Sequence, residues 1–497
     1  MIRKATVEGG VVLGIPAADP RVTAFKGIPF AAPPVGENRW RAPQPVIPWE
    51  GEKKCWTFAP ISMQHVPGID QNNIYTREWN VDPEIPMDED CLYLNVWTPA
   101  KSTDEKLPVF VWYFGGGLRE GNPAEMEFDG ERIARRGVVV VTVNYRLNVF
   151  GFLAHPQLAA EQPDAPANFG HLDQQAGTRW VQRNIEAFGG DPANITIGGQ
   201  SAGGGSVMSQ LTSPQNEGLF QKAIIMSGMI PGMYVARRRL NFEEAQAQGE
   251  RFFEYLGVKT LEEARKIDAV TLRDKCEAFG AMFGTVPDGK FCVGDSQKLM
   301  YEGKRWPVPL MVGRTHDEFP NMINADTMET FKARAKEFLG EDADEFLAIC
   351  GDNLQNAVKT SKVSGIEVAM RVLAEKNKAM DWKQPVYAYV FNPEIPGWDN
   401  PGTFHSVDLW FFFENIAKCW RPFKGKHYDL SRQMCNYWAN FFKSGNPNGP
   451  DNDGTPMPEW KEFTADTPNM MWFNDACEPI VDEPSEVIKF FVKRNLK

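Results

Sequence analysis

The sequence predicts an α/β architecture, with a mostly parallel central sheet and helices on both faces. Three observations predict it. Short apolar, β-branched runs recur along the chain, and helix-patterned stretches lie between several of them. One run ends in a glycine-rich turn, residues 198–204, reading Gly-Gly-Gln-Ser-Ala-Gly-Gly. Continuous apolar runs of this length suit strands buried on both faces, and alternation with helices layers those helices over the sheet.

The predicted strands fall at 107–113, 138–143, 195–197, 222–226, 308–312 and 386–390. Residues 172–188 carry apolar groups at helical spacing, and the pair Gly189 and Gly190 stops that helix. Residues 240–305 and 325–383 are charged and mostly helix-like. They separate the later strands and read as helical insertions above the sheet, at about 228–305 and 320–383. Residues 445–458 are a surface loop by composition. No internal repeat and no clean linker interrupts the pattern, so residues 1–497 are expected to form one domain.

Lys plus Arg number 53 against 65 Asp plus Glu, a net charge of −12, which argues against a nucleic-acid partner. No apolar stretch approaches the roughly 20 residues of a membrane helix, and no signal-like run opens the chain, so a cytoplasmic protein is expected. The eight cysteines are scattered without a C-x-x-C pair, which argues against a zinc site and makes buried thiols the expectation.

The turn at 198–204 is G-x-S-x-G at the end of a predicted strand. Such a turn lifts one serine hydroxyl clear of the sheet, and side chains at Gly199 or Gly203 would collide across it. Ser201 is therefore the candidate nucleophile, and it needs a base, usually a histidine held by a carboxylate. In this kind of α/β protein the order is serine, acid, histidine. His65, His155 and His171 precede Ser201; His427 lies in a basic stretch that reads as exposed; His316 is too near the acid candidates. His405 remains, on a loop after the strand at 386–390. The acid belongs just past a strand, and both Asp317 and Glu318 satisfy that position, with Glu394 a weaker option. The triple glycine Gly115, Gly116 and Gly117 follows the strand at 107–113, and its backbone N–H groups, with that of Ala202, are candidates for an oxyanion hole. Asp408 reads as a helix-start charge, and Met229, Met233 and the run 410–413 read as core.

Longer signatures then carry a resemblance. They are Phe-Lys-Gly-Ile-Pro-Phe-Ala-Ala-Pro-Pro-Val-Gly from Phe25, Glu-Asp-Cys-Leu-Tyr-Leu-Asn-Val from Glu89, Asn-Tyr-Arg-Leu-Asn-Val-Phe-Gly-Phe-Leu from Asn144, and Phe-Gly-Gly-Asp-Pro-Ala-Asn-Ile-Thr from Phe188. With them the chain resembles the type-B carboxylesterase family, which includes bacterial esterases and the cholinesterases. The resemblance implies an α/β-hydrolase fold, Ser201 as nucleophile, His405 as base and Glu318 rather than Asp317 as acid. It puts the oxyanion hole on the N–H groups of Gly116, Gly117 and Ala202. The implied activity is hydrolysis of small-molecule carboxylic esters through an acyl-enzyme, with no metal or organic cofactor and no nucleic-acid or membrane partner; oligomeric state is left open. The alternatives are a catalytically silent binding protein of cholinesterase-like type, or a preference for amides, carbamates or lactones.

The chain departs from the family pattern in four places. Gln200 stands where glutamate is common, which weakens the case for cationic substrates. Met87 and Asp88 occupy the place of a cholinesterase-type aromatic. The oxyanion segment is flanked by Phe114 and Leu118 where many relatives have His and Phe. Ser62 stands where secreted relatives place a cysteine that pairs with the cysteine of Glu-Asp-Cys, so Cys91 is expected to be reduced.

Overall fold

The computed structural model describes residues 1–229, 233–234 and 239–497. Its central sheet has eleven strands. In chain order they are β1 (Ile15–Pro16), β2 (Thr23–Pro29), β3 (Tyr93–Thr98), β4 (Leu107–Tyr113), β5 (Val139–Val143), β6 (Gly190–Gln200), β7 (Lys222–Met226), β8 (Leu310–Thr315), β9 (Val386–Phe391), β10 (Asn469–Phe473) and β11 (Cys477–Val481). In space they run β11-β10-β9-β8-β7-β6-β4-β5-β3-β2-β1. The block from β10 to β5 is parallel. Antiparallel strands extend it at both edges, β3-β2-β1 on one side and β11 on the other.

Each parallel strand divides its side chains between two cores, because successive residues of a strand point to opposite faces. Val109, Val111 and Tyr113 of β4 enter one core, while Phe110 and Trp112 enter the other. In β7, Ala223 and Ile225 part from Ile224 and Met226 in the same way. Helices seal both faces. Among them are α1 (Ile74–Glu78), α2 (Phe169–Asn184), α3 (Ala202–Thr212), α4 (Asp408–Phe412) and α5 (Gly425–Ser444). Trp180 and Val181 of α2 close the first core; Trp438, Phe441 and Phe442 of α5 close the second. Gly189, at φ +76°, ends the 3₁₀ turn that follows α2, as the glycine pair predicts.

The insertions are mainly helical. Phe242–Leu256, Leu261–Arg265, Ala269–Phe279 and Ser296–Tyr301 form the first group, and Met328–Leu339, Ala343–Cys350, Leu354–Thr360 and Gly365–Ala379 the second. Residues 230–232 and 235–238 of the first insertion lie outside the described residues. Met229, Met233 and the aromatic run at 410–413 are buried in hydrophobic clusters, as expected. Among the described residues no helix is long and apolar enough to cross a membrane. The C-terminal ends of β4, β6, β8 and β9 all point to one edge of the sheet, and the loops leaving them build the candidate site.

Candidate active site

Ser201 sits alone between β6 and α3, at φ +56° and ψ −122°. A non-glycine residue in that region is strained, and the fold around it must hold it there. Its N–H donates to the Met226 carbonyl at 2.8 Å, and its carbonyl accepts from Gly205 N–H at 2.9 Å. The glycines on either side are forced by contact. A Cβ on Gly199 would lie 2.4 Å from the Gly203 backbone, and one on Gly203 would lie 2.1 Å from the Tyr113 carbonyl oxygen. The turn exists because β4, β6 and α3 approach closer than any side chain allows.

Glu318 follows β8 and is 3% exposed. Its Oε2 forms a very short contact with Nδ1 of His405, while its Oε1 accepts from Ser227 Oγ at 2.8 Å and from Thr315 N–H at 3.0 Å. The carboxylate is thus held by three donors from three separate segments. Asp317, the alternative acid, turns away from His405. It accepts from Thr403 N–H at 2.9 Å and from Thr403 Oγ1 at 3.0 Å, so it ties down the loop that carries the histidine. Glu394 pairs with Lys426 at 3.1 Å instead.

His405 is 6% exposed and packs its ring 4.4 Å, centroid to centroid, from that of Phe319. With a carboxylate at Nδ1, the hydrogen sits on Nδ1 and the lone pair on Nε2. Gln200 Nε2, from the residue next to Ser201, lies 3.2 Å from that Nε2. The other histidines are occupied elsewhere. His427, expected to be exposed, is 2% exposed: its Nδ1 accepts from Lys424 N–H at 2.9 Å at the start of α5, and its Nε2 meets the Glu394 carbonyl at 2.9 Å. The basic residues around it suggested a wet loop, but the ring caps a helix.

Ser201 and His405 line one cavity of about 300 Å³, together with Gly115, Gly116, Gly117 and Gln200. Gly116 and Gly117 adopt φ of +99° and +67°, which admits glycine and few other residues. A Cβ on Gly116 would meet the Glu120 carbonyl oxygen at 2.0 Å. Ala202 opens α3, so its N–H is among the first amides of the helix, which have no intrahelical partner. A second cavity, of about 380 Å³, also reaches Ser201 and is lined by Gly117, Ala202, Phe152, Phe283 and Val286.

Some residues of the first cavity escape the sequence reading. Tyr75 and Trp79, from α1 and its end, line it beside Phe128. The aromatic sought at Met87 is supplied from eight residues upstream. Glu120, Glu125 and Glu127 also line the cavity. The carboxyl group missing from position 200 is therefore matched by others from the loop after β4, where the sequence offered no spacing rule to reveal them. Burial raises the pKa of Glu125; burial first, and then the Glu125 carboxylate, raise that of Glu127 well above the usual range. Asp408 does begin α4, but it is fully buried rather than a solvated helix-start charge. Its Oδ2 accepts from Tyr389 OH at 2.9 Å, and burial, with Glu318 nearby, pushes its pKa up to about 7.

All eight cysteines are free thiols, Cys91 among them. Ser62, in the place of the missing partner, donates to the Tyr145 carbonyl at 2.5 Å. Among the described residues no group of three or more His, Cys, Asp or Glu side chains could hold a metal ion.

The chain as a whole is similar to known proteins. The profile of the carboxylesterase family matches residues 2–486. The para-nitrobenzyl esterase of Bacillus subtilis (strain 168) is 32% identical over 486 residues, covering 93% of either chain. The fumonisin B1 esterase of Sphingopyxis macrogoltabida is 32% identical over 470 residues, covering 88% of this chain and 82% of that one. A solved PNB esterase structure superposes with a TM-score of 0.79 at 30% identity, over 99% of both chains.

Proposed function

The chain belongs to the carboxylesterase family, and from that premise we propose that it hydrolyses small-molecule carboxylic esters through an acyl-enzyme on Ser201. The observation that carries the reading is the pairing of His405 Nδ1 with a carboxylate fixed by two further donors, in the cavity that Ser201 also lines.

Glu318 holds the imidazole with its hydrogen on Nδ1, leaving the Nε2 lone pair free to act as base. Ser201 Oγ attacks the ester carbonyl as His405 Nε2 takes its proton. The tetrahedral oxyanion forms at the triple glycine, where Gly116, Gly117 and Ala202 N–H groups stabilise it; each such donor contributes roughly 10²–10³ in rate. The imidazolium, stabilised by Glu318, then protonates the leaving alcohol oxygen. Water repeats the sequence on the acyl-enzyme, and the carboxylic acid departs. In the resting arrangement Gln200 Nε2–H points at the Nε2 lone pair, so substrate entry has to let the Ser201 hydroxyl replace it.

No step calls for a metal or organic cofactor. Eight unbridged thiols fit a reducing compartment, and a cytoplasmic location belongs to the same reading. The test is Ser201→Ala. It is expected to abolish hydrolysis of para-nitrophenyl butanoate while thermal unfolding stays cooperative. Retained turnover in the pure variant removes Ser201 from the mechanism.

A further inference from the structure

His171 is fully buried, and the proposed reaction makes no use of it. Burial lowers its pKa to about 4, so at neutral pH the ring carries a single hydrogen. The neighbours decide which nitrogen holds it. Ser206 Oγ donates its hydrogen to the Ala202 carbonyl at 3.0 Å, so it has only lone pairs to offer Gln174. Gln174 therefore turns its NH₂ to Ser206, at 2.9 Å. Its amide oxygen is left for His171 Nδ1, 3.0 Å away, and that nitrogen must carry the hydrogen. His171 Nε2 is then an acceptor. The group it faces, Thr285 Oγ1 at 2.7 Å, has to donate to it. The rings of Phe152 and Phe291, with centroids 5.2 and 5.9 Å from that of His171, hold the imidazole in this place.

Thr285 lines the second cavity at Ser201. With its hydrogen spent on His171, it offers that cavity lone pairs and no donor. Ser209 and Ser296, on the same cavity, repeat the pattern. Ser209 Oγ donates to the Gly205 carbonyl at 3.2 Å, so Ser296 Oγ, 3.3 Å away, donates to Ser209. In acylation the imidazolium of His405 must reach the leaving oxygen, and of the two cavities only the first is lined by His405. The alcohol half of the ester belongs there, and the acyl half in the second cavity.

We propose that Thr285, oriented by His171, selects acyl groups that carry a hydroxyl, and that this hydroxyl donates to Thr285 Oγ1. The inference rests on the esterase reading of Ser201. An alkyl chain brings no donor to these oxygens. A carboxylate brings acceptors to acceptors, and the cation on this wall, Arg239, is already paired with Asp295 at 3.2 Å. An ammonium finds no carboxylate among the described residues that line the cavity. A neutral hydroxyl meets none of these objections.

Methyl esters of two acyl lengths test this, each exchanging OH for CH₃: 3-hydroxybutanoate against 3-methylbutanoate, and 6-hydroxyhexanoate against heptanoate. A fifth ester, 5-methoxypentanoate, matches heptanoate in length and carries an oxygen with no hydrogen to donate. Values of kcat/KM are each divided by the rate of hydroxide-catalysed hydrolysis, which removes intrinsic differences in reactivity. At one length or both, the hydroxyl ester is expected to exceed its methyl counterpart by about five-fold, the worth of one hydrogen bond. Thr285→Val is expected to reduce that ratio at least about three-fold, and Thr285→Ser, which keeps the hydroxyl, to retain it. The ratio between two esters reads selectivity, which a merely structural role of Thr285 would leave unmoved. Should the valine variant misfold, the ether reads the same requirement in the unaltered protein, where 5-methoxypentanoate is expected to gain nothing over heptanoate. Equal rates for OH and CH₃ at both lengths, an advantage that survives Thr285→Val, a serine variant that loses it as fully as valine, or an ether that outpaces heptanoate overturns the selection and leaves the esterase reading intact. Failure to hydrolyse any of the five esters overturns both.

Discussion

Glu318→Gln isolates the contribution of the carboxylate with almost no change in shape. The amide can be placed in two ways. In one, its NH₂ replaces Oε1 and faces the Thr315 N–H and the Ser227 hydroxyl. Ser227 can rotate to accept, but the Thr315 N–H cannot, and a buried donor facing a donor costs about 1–3 kcal/mol. In the other, the amide oxygen keeps both donors and the NH₂ faces His405 Nδ1. Nδ1 must then accept, which moves the ring hydrogen to Nε2 and removes the base. The local hydrogen bonds therefore select the inactive tautomer. Loss of the correct tautomer in a triad costs about ten-thousand-fold, or roughly 5 kcal/mol of transition-state stabilisation. The assay is kcat for para-nitrophenyl butanoate between pH 6 and 9, with Asp317→Asn as companion. Asp317 touches Thr403 and not His405, so that variant is expected to lose less than about ten-fold. A loss below about a hundred-fold in Glu318→Gln, or a larger loss in Asp317→Asn, refutes the choice of acid.

Three further outcomes follow from the same geometry. Gln200→Glu puts a carboxylate beside His405 Nε2, which favours the imidazolium; the acid limb of the kcat/KM profile is expected to move up by about one pH unit. Gly203→Ala drives a methyl into the Tyr113 carbonyl 2.1 Å away, and chemical denaturation is expected to show a loss of roughly 3 kcal/mol or more, with no active protein recovered. Asp408 binds its proton more tightly folded than unfolded, its pKa standing at about 7 against 3.8, so it costs stability as pH rises between those values. Asp408→Asn removes that penalty, worth up to about 1.4 kcal/mol per pH unit crossed, and the variant's Tm relative to the unaltered protein is expected to be higher at pH 8 than at pH 5.

The parallel part of the sheet was legible because strands buried on both faces must be apolar throughout. The runs at 107–113, 138–143, 222–226 and 386–390 sit within a residue or so of β4, β5, β7 and β9. β10 escaped, since Asn-Met-Met-Trp-Phe is apolar without being β-branched. The antiparallel edge strands escaped too: they are short or bulged, and their alternation is broken, as at the shift between Phe25 and Ile28 in β2. Ser201 as candidate nucleophile was legible from its turn, whose glycines are dictated by backbone contact, and His405 as candidate base from chain order with few histidines to choose among. Glu318 over Asp317 was not decidable by position, because adjacent residues on a loop point apart and only packing says which way. The wall of the first cavity was invisible for a different reason. Tyr75, Trp79, Glu125 and Glu127 come from loops and a one-turn helix with no periodicity, and only folding brings them to Ser201. Burial misled at His427 and Asp408, where polar neighbours in sequence are not neighbours in space.

The central claim is that the hydroxyl of Ser201 is made nucleophilic by an imidazole that Glu318 orients. Labelling with a fluorophosphonate, followed by mass spectrometry of the intact chain and of its peptides, tests it most directly. One phosphonyl group per chain on Ser201, with labelling slowed at least a hundred-fold in His405→Ala, is the predicted result. A folded protein that stays unlabelled, or one labelled equally fast without His405, contradicts it.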